Sequence, residues 1–139
     1  MSKLDVLKKD LRAQSELQPS LQGVVATGYG LAIPLGNYAS IKLNILAASV
    51  TSGGTFKIWV SDQYEKPDFT AALSATNRYY QSAVIPVGST TADPLTDITI
   101  SANGLTAYEL NTNGVMWVCI ELDARTDGTY SAWAKGYNL

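Results

Sequence analysis

Residues 115–137 read VMWVCIELDARTDGTYSAWAKGY, and this stretch decides the fold class. Two runs rich in β-branched and aromatic residues, 115–123 and 129–137, flank the five-residue loop ARTDG. Such runs are typical of β-strands, and an Asp-Gly pair between them is typical of a tight connection. The stretch therefore predicts a β-hairpin.

One face of this hairpin sets large side chains opposite small ones, an arrangement that suits a packed core. With the loop centred on Thr126, the expected pairs are Leu122 with Tyr130, Ile120 with Ala132, Val118 with Ala134, and Met116 with Gly136. The other face is unusually apolar for a solvated surface. Besides Glu121 and Lys135 it bears Trp117, Cys119, Trp133 and Tyr137. We expect that face either to be covered or to form a contact surface.

Strand-like runs also fill the chain before the hairpin, and turn residues separate them. Strands are predicted at 22–33, 38–50, 55–61, 79–87, 96–101 and 105–110. Glycine-containing turns are predicted at Ser52-Gly53-Gly54, Asn103-Gly104, Asn113-Gly114 and Asp127-Gly128. About eight short strands with frequent turns predict a single all-β domain, a β-sandwich or a barrel.

The predicted strand 38–50 changes the face on which its apolar residues lie. They occupy odd positions from Ile41 to Ile45 and even positions from Leu46 to Val50. A regular strand cannot bury both sets unless both of its faces are covered. The simpler interpretation is a β-bulge near Ile45–Leu46.

Residues 1–18 form an N-terminal arm that differs from the sandwich predicted over 19–139. Leu4, Leu7 and Leu11 have helical spacing, and Pro19 would prevent a helix from continuing. The alternative is an extended arm whose leucines dock separately.

The segment 62–77 is too long for a simple turn and contains Tyr64 and Phe69. Loops of this length often bear functional residues. The alternative is a solvated connection with a short helix over a sheet edge.

The composition argues against an enzyme. The chain has no histidine and a single cysteine, so Ser-His-Asp, Cys-His and zinc sites cannot be assembled from its side chains. No GxGxxG or Walker A motif is present. Glu109, Glu121 and Asp123 are best interpreted as surface carboxylates of an acidic protein. We therefore expect no catalytic residues, no cofactor and no metal site.

Charge and hydropathy argue against nucleic-acid and membrane partners. Ten Lys and Arg residues are outnumbered by twelve acidic ones, whereas nucleic-acid binding depends on clustered basic residues. No run approaches the ~20 apolar residues of a membrane helix, and no signal peptide is recognisable. The chain is expected to be a soluble product made in the cytoplasm.

Aromatic residues leave a second class of function open. Three tryptophans and eight tyrosines could fill a core or stack on sugar rings. A carbohydrate-binding module, or a module of a phage tail or receptor-binding assembly, is thus the alternative.

Four segments in this order resemble one protein family. They are LRAQSELQ (11–18), GGTFKIWVSDQ (53–63), NRYYQSAVIPVG (77–88) and MWVCIELDARTDGTYSAWAKGYN (116–138). Their pattern of strands and turns is similar to that of the jelly-roll cement, or decoration, proteins of tailed-bacteriophage capsids. The resemblance implies a jelly-roll-like sandwich of about eight strands with an N-terminal arm.

The resemblance also implies a structural role on the capsid surface of the virion. The expected partners are the major capsid protein and further copies of the same chain, as a homodimer or homotrimer. Candidate partner-binding residues are Leu4, Leu7, Leu11 and Arg12 in the arm, Tyr64 and Phe69 in the long loop, and Trp117, Trp133 and Tyr137.

Overall fold

Eleven antiparallel strands form two sheets in the computed structural model, which describes residues 15–36, 38–89, 94–111 and 114–138. The two sheets pack face to face as a sandwich, which confirms the predicted all-β, jelly-roll-like class. The strands are β1 (Gln18–Val24), β2 (Gly28–Tyr29), β3 (Ile33–Pro34), β4 (Ser40–Ala48), β5 (Gly54–Ser61), β6 (Tyr80–Gln81), β7 (Ile85–Pro86), β8 (Asp97–Ile100), β9 (Gly104–Asn111), β10 (Trp117–Arg125) and β11 (Thr129–Tyr137).

The five-stranded sheet has the order β1-β11-β4-β9-β7. The six-stranded sheet has the order β2-β10-β5-β6, with β3 also beside β10 and β8 beside β5. Strands that follow one another along the chain often lie in different sheets. The chain therefore crosses between the layers several times, as in a jelly roll.

Alternating side chains build the core between the sheets. Along β11 every second residue from Tyr130 to Gly136 is buried, and β4 buries Ile41 to Ala47 in the same way. Phe56 of β5 meets Tyr130 edge to face, with ring centroids 5.1 Å apart. Each large aliphatic side chain buried here contributes about 1.5–3 kcal/mol. Period-two alternation is therefore what fixes which face of each strand looks inward.

The predicted hairpin 115–137 is wrong in its pairing. Ile120 pairs with Ile58 of β5, not with Ala132, and Ala132 pairs with Leu21 and Ile45. Strands β10 and β11 thus belong to opposite sheets. The large and small residues of three predicted pairs, 122/130, 120/132 and 118/134, do point into one core, but from two different layers. Met116 of the fourth predicted pair is only partly buried and lies outside that core.

The chain turns from one sheet into the other at residues 124–128, so this loop does not close a hairpin between β10 and β11. The Asp127 carboxylate accepts hydrogen bonds from the backbone N–H groups of Thr51, Ser52 and Gly53 at 2.8–3.1 Å. The Tyr130 hydroxyl donates to the Asp127 carbonyl oxygen at 2.8 Å. The chain is thereby tied to the β4–β5 connection and turns into the opposite sheet.

Two of the predicted strands are interrupted, because the chain changes from one sheet to the other within them. The segment 22–33 leaves the five-stranded sheet after Val24, and β2 and β3 then pair with β10 in the other sheet. In 79–87, β6 pairs with β5 whereas β7 pairs with β9. A continuous apolar run cannot distinguish one strand from two short strands that exchange sheets.

The predicted bulge near Ile45–Leu46 is also wrong. Strand β4 pairs with β11 in unbroken register from Ser40 to Ala48. The change of face occurs beyond the strand, where Ser49 has a φ of 57° and Val50 turns to pack against the core. Leu46 consequently lies on the outer face, 42% exposed.

The arm joins the sandwich just before β1. The Ser15 amide donates to the Gly136 carbonyl oxygen at 2.8 Å, and the Gly136 amide donates to Ser15 Oγ at 2.9 Å. Leu4, Leu7, Leu11 and Arg12 lie outside the described residues, so their conformation remains a prediction. Among the residues with described structure, no helix is long and apolar enough to cross a membrane.

Candidate functional site

The long loop 62–77 covers part of the outer face of the six-stranded sheet. Phe69 is 5% exposed, and its ring lies 5.6 Å from that of Tyr79. Tyr79 in turn meets Trp59, on the outer face of β5, edge to face at 5.7 Å. The segment forms turns, without the short helix that was the alternative expectation. One half of the apolar hairpin face is therefore covered.

Side-chain amides fasten this loop to the sheet and to itself. Gln63 is buried, donates to the Glu65 carbonyl oxygen at 2.8 Å, and accepts from the Arg78 amide at 2.8 Å. Asn77 accepts from the Asp68 amide at 2.8 Å and donates back to the Asp68 carbonyl oxygen at 2.9 Å. These bonds hold Phe69 in place over the sheet without regular secondary structure.

An aromatic cleft opens at the edge of this covering. The Trp117 indole N–H donates to the Tyr64 carbonyl oxygen at 3.3 Å, and the Tyr64 ring is 83% exposed. The cleft has a volume of about 260 Å³. We call it the aromatic cleft; it is lined by Pro34, Gly36, Tyr38, Tyr64, Met116 and Trp117.

The outer face of the five-stranded sheet carries an open apolar surface. Four side chains, Leu17, Leu46, Leu105 and Trp133, line one shallow depression with Asn44 between them. We call these four residues the outer stripe. Trp133 pairs with Asn44, and Leu46 pairs with Leu105, so the stripe runs obliquely from the start of β1 across β11 and β4 to β9.

Three leucines of the stripe are substantially exposed, at 47% for Leu17, 42% for Leu46 and 62% for Leu105. Isolated exposed leucines are ordinary on protein surfaces, but a contiguous set around a tryptophan is typical of an interaction site. The second half of the apolar hairpin face is therefore open.

The candidate carboxylates have structural partners. Glu121 Oε1 accepts from the Trp59 indole N–H at 2.9 Å, and Asp123 Oδ2 lies 3.7 Å from Lys57 Nζ. Within the described ranges, no group of three or more acidic, cysteine or histidine side chains could hold a metal ion. These carboxylates position an indole ring and a lysine on the outer face of the six-stranded sheet.

Cys119 lies on β10, next to the residue that follows β2, and is 1% exposed. Its thiol donates to the Gly30 carbonyl oxygen at 3.3 Å. Burial, followed by the nearby Glu121 carboxylate, raises the pKa of the thiol to about 12. Since the thiolate is the reactive form, this cysteine acts as a small core residue.

The predicted partner-binding residues that the structure describes are distributed over four places. Tyr64 and Trp117 come together in the aromatic cleft, while Trp133 lies on the opposite sheet in the outer stripe. Phe69 is buried under its own loop. Tyr137 is partly buried beside Glu109, and its pKa is raised by burial first and by that carboxylate second.

Sequence reasoning missed the three leucines of the outer stripe. Leu17 lies in the predicted arm 1–18 and Leu105 in the predicted strand 105–110, and the sequence pattern gives neither residue a role. The change of face at Leu46 is the available signal, because an even-numbered leucine on a strand with odd-numbered core residues must point outward. The predicted bulge hides this signal.

Comparison with known proteins gives a fold likeness and no family. No protein-family model matches the chain, and no curated protein matches its sequence. Among solved structures, the crystal structure of the SPBc2 prophage-derived protein YomS is similar, with a TM-score of 0.63. The match covers 91% of this chain and 95% of that protein at 8% identity. The chain therefore shares the sandwich architecture of a protein derived from a prophage.

Proposed function

We propose that this chain is a structural protein of a tailed-phage virion, a capsid cement protein that binds the major capsid protein shell. One observation supports this most directly: the outer stripe and the aromatic cleft lie on different sheets of one sandwich. A protein that joins neighbours needs contact surfaces pointing in different directions. The shared architecture with a prophage-derived protein is compatible with such an origin.

Such a role needs binding energy and no chemistry. A protein that binds only the assembled shell lowers the free energy of that state and leaves free capsid subunits unaffected. Many copies act together on one shell, so each contact can be modest. In this proposal the chain is not an enzyme, and it works on the capsid surface after synthesis in the host cytoplasm.

Attachment to shells tests the proposal. Purified empty shells of the phage that encodes this chain are mixed with the protein and sedimented, and the bound fraction is measured. We expect the wild-type chain to co-sediment and Tyr64→Ala to bind more weakly, since Tyr64 is the most exposed ring of the aromatic cleft. Tyr80→Ala, another exposed tyrosine outside the cleft, is the matched control. A wild-type chain that stays in the supernatant contradicts the proposal.

The aromatic cleft also supports the second candidate, a carbohydrate-binding module. Exposed Tyr and Trp rings around a shallow cleft can stack on sugar faces. A glycan array with the wild-type chain and Trp117→Ala tests this, with Trp133→Ala as the control on the other sheet. If the wild-type chain binds no sugar on the array, the carbohydrate-binding alternative is wrong. Labelling that locates the protein on the tail of the virion would instead favour a tail module.

A further inference from the structure

We infer that the outer stripe is the docking site for residues 1–14 of a second copy of this chain, so that copies associate by exchanging their N-terminal arms. This inference concerns how copies join each other, and it goes beyond shell binding. The stripe, the direction of the chain at Ser15 and the composition of the arm support it.

The stripe begins at Leu17, just after residues 1–14, the part of the arm that we infer to dock. Leu17, the first member of the stripe along the chain, lies two residues after Ser15. The arm bears three further leucines, Leu4, Leu7 and Leu11. In a helix, Leu4 and Leu11 would be separated by about 10 Å. The stripe crosses four neighbouring strands, β1, β11, β4 and β9, and the outer two of these lie about 14 Å apart. The stripe is therefore long enough to receive a helical segment from Leu4 to Leu11.

At Ser15 the chain points away from its own stripe. Traced from Gln18 towards the N-terminus, the chain runs beside β11 in the direction of Tyr137, as the paired Ser15–Gly136 hydrogen bonds show. The stripe lies the other way, towards Trp133 and Leu46. An arm that covered its own stripe would have to reverse between Leu11 and Ser15.

The segment where such a reversal would have to occur lacks turn-forming residues. Residues 11–14, LRAQ, contain no glycine, proline, asparagine, aspartate or serine. These residues dominate tight turns because each favours a turn conformation that others adopt at a cost. A chain that continues outward instead reaches a neighbouring molecule. Reciprocal exchange of the same contact then closes a dimer or a small ring.

Sedimentation velocity on the full chain tests the inference without any shell present. We expect a dimer or trimer that becomes monomeric when residues 1–14 are deleted. Leu105→Asp is expected to weaken self-association by about tenfold or more, because a charge then lies in the apolar contact. Leu73→Asp is the matched control, since Leu73 is 63% exposed and Leu105 is 62% exposed. Circular dichroism checks that each variant retains its β structure.

Cross-linking identifies the occupant directly and leaves every leucine in place. One protein carries Lys8→Cys in the arm, and another carries Ala107→Cys, beside Asn44 on the outer face. We expect a disulfide between the two only when they are mixed. Thr99→Cys, on the exposed side of β8, replaces Ala107→Cys in the control. The native Cys119 is buried and does not interfere.

Three results would overturn the inference. The first is a full chain that is monomeric at micromolar concentration. The second is an oligomer that persists after deletion of residues 1–14. The third is an intramolecular disulfide in the Lys8→Cys/Ala107→Cys double variant without cross-linking between the mixed single variants. None of these results bears on whether the chain sediments with shells, so the two proposals fail separately.

Discussion

Asp127 shows how one side chain decides the course of the chain. Its carboxylate accepts hydrogen bonds from the backbone N–H groups of Thr51, Ser52 and Gly53 in the β4–β5 connection. These hydrogen bonds lower the pKa of the carboxyl below its ordinary value of 3.8. A residue that sequence analysis assigns to a hairpin turn therefore acts as a clamp between two connections.

The lowered pKa of Asp127 makes its contribution depend on pH. The folded protein holds a proton on Asp127 less tightly than the unfolded chain, so the stabilisation is present above the ordinary pKa and lost as pH falls through the folded pKa. We expect Asp127→Asn to lower the thermal unfolding midpoint near neutral pH. The difference in unfolding midpoint between Asp127→Asn and the wild type should close as the pH drops below about 3.8. A gap that stays constant down to acidic pH would contradict the clamp.

Gly53 is required at the same corner for a steric reason. Its φ is 102°, and a Cβ built there would lie 1.8 Å from the Ile100 carbonyl oxygen. Gly104 has a φ of 130° but no atom within 4 Å of such a Cβ. We expect Gly53→Ala to cost about 3 kcal/mol or more in urea unfolding, and Gly104→Ala about 1 kcal/mol. Equal costs at the two positions would show that the close approach does not matter.

At the scale of elements, the long loop 62–77 covers part of the outer face of the six-stranded sheet. It places Phe69 against Tyr79, whose ring meets Trp59, and thereby covers an outer face that would otherwise be apolar and open. We expect Phe69→Ala to lower the free energy of unfolding by about 3 kcal/mol, because a buried aromatic side chain is lost.

Tyr64→Ala is the control for Phe69→Ala, since Tyr64 belongs to the same loop and is 83% exposed. It should change the free energy of unfolding by less than about 0.5 kcal/mol. Urea titration followed by tryptophan fluorescence measures both. If the two substitutions cost the same, the loop does not pack on the sheet as described.

The strands and their inward faces were largely predictable, and their partners were not. Alternation along β11 and from Ile41 to Ile45 of β4 identified core residues correctly, because a side-chain period of two is a local property. The bulge predicted near Ile45–Leu46 wrongly turned Leu46 towards the core. Which strand lies beside β10 depends on the corner at Asp127, a contact with residues far away in sequence. Turn composition alone suggested a hairpin there.

The candidate site was predictable only in part, for the same reason. Trp117 and Trp133 were correctly singled out as outward residues of an apolar face. Their separation onto opposite sheets follows from long-range pairing. Leu17, Leu46 and Leu105 form one surface only because β1, β11, β4 and β9 are neighbours, an order that no local pattern contains.

For the whole molecule, the arm and the sandwich are expected to separate functionally at Ser15. Deletion of residues 1–14 keeps the Ser15–Gly136 hydrogen bonds, whereas deletion of residues 1–18 also removes the start of β1. We expect the shorter deletion to preserve the circular dichroism spectrum and unfolding midpoint while weakening shell attachment, because fewer linked copies bind together. The longer deletion should also lower the midpoint. If the variant that lacks residues 1–14 attaches to shells as well as the wild type does, these residues have no role in attachment.

The position of β11 between β1 and β4 has a consequence for the order of events during synthesis. Ribosomes make β1 first and β11 after all the other described strands, on the order of ten seconds later at typical translation speeds. Until β11 inserts, Trp133 is not beside Leu17 and Leu46, so the outer stripe does not exist on a nascent chain. If copies join through the stripe as inferred, this contact forms only after each sandwich is complete.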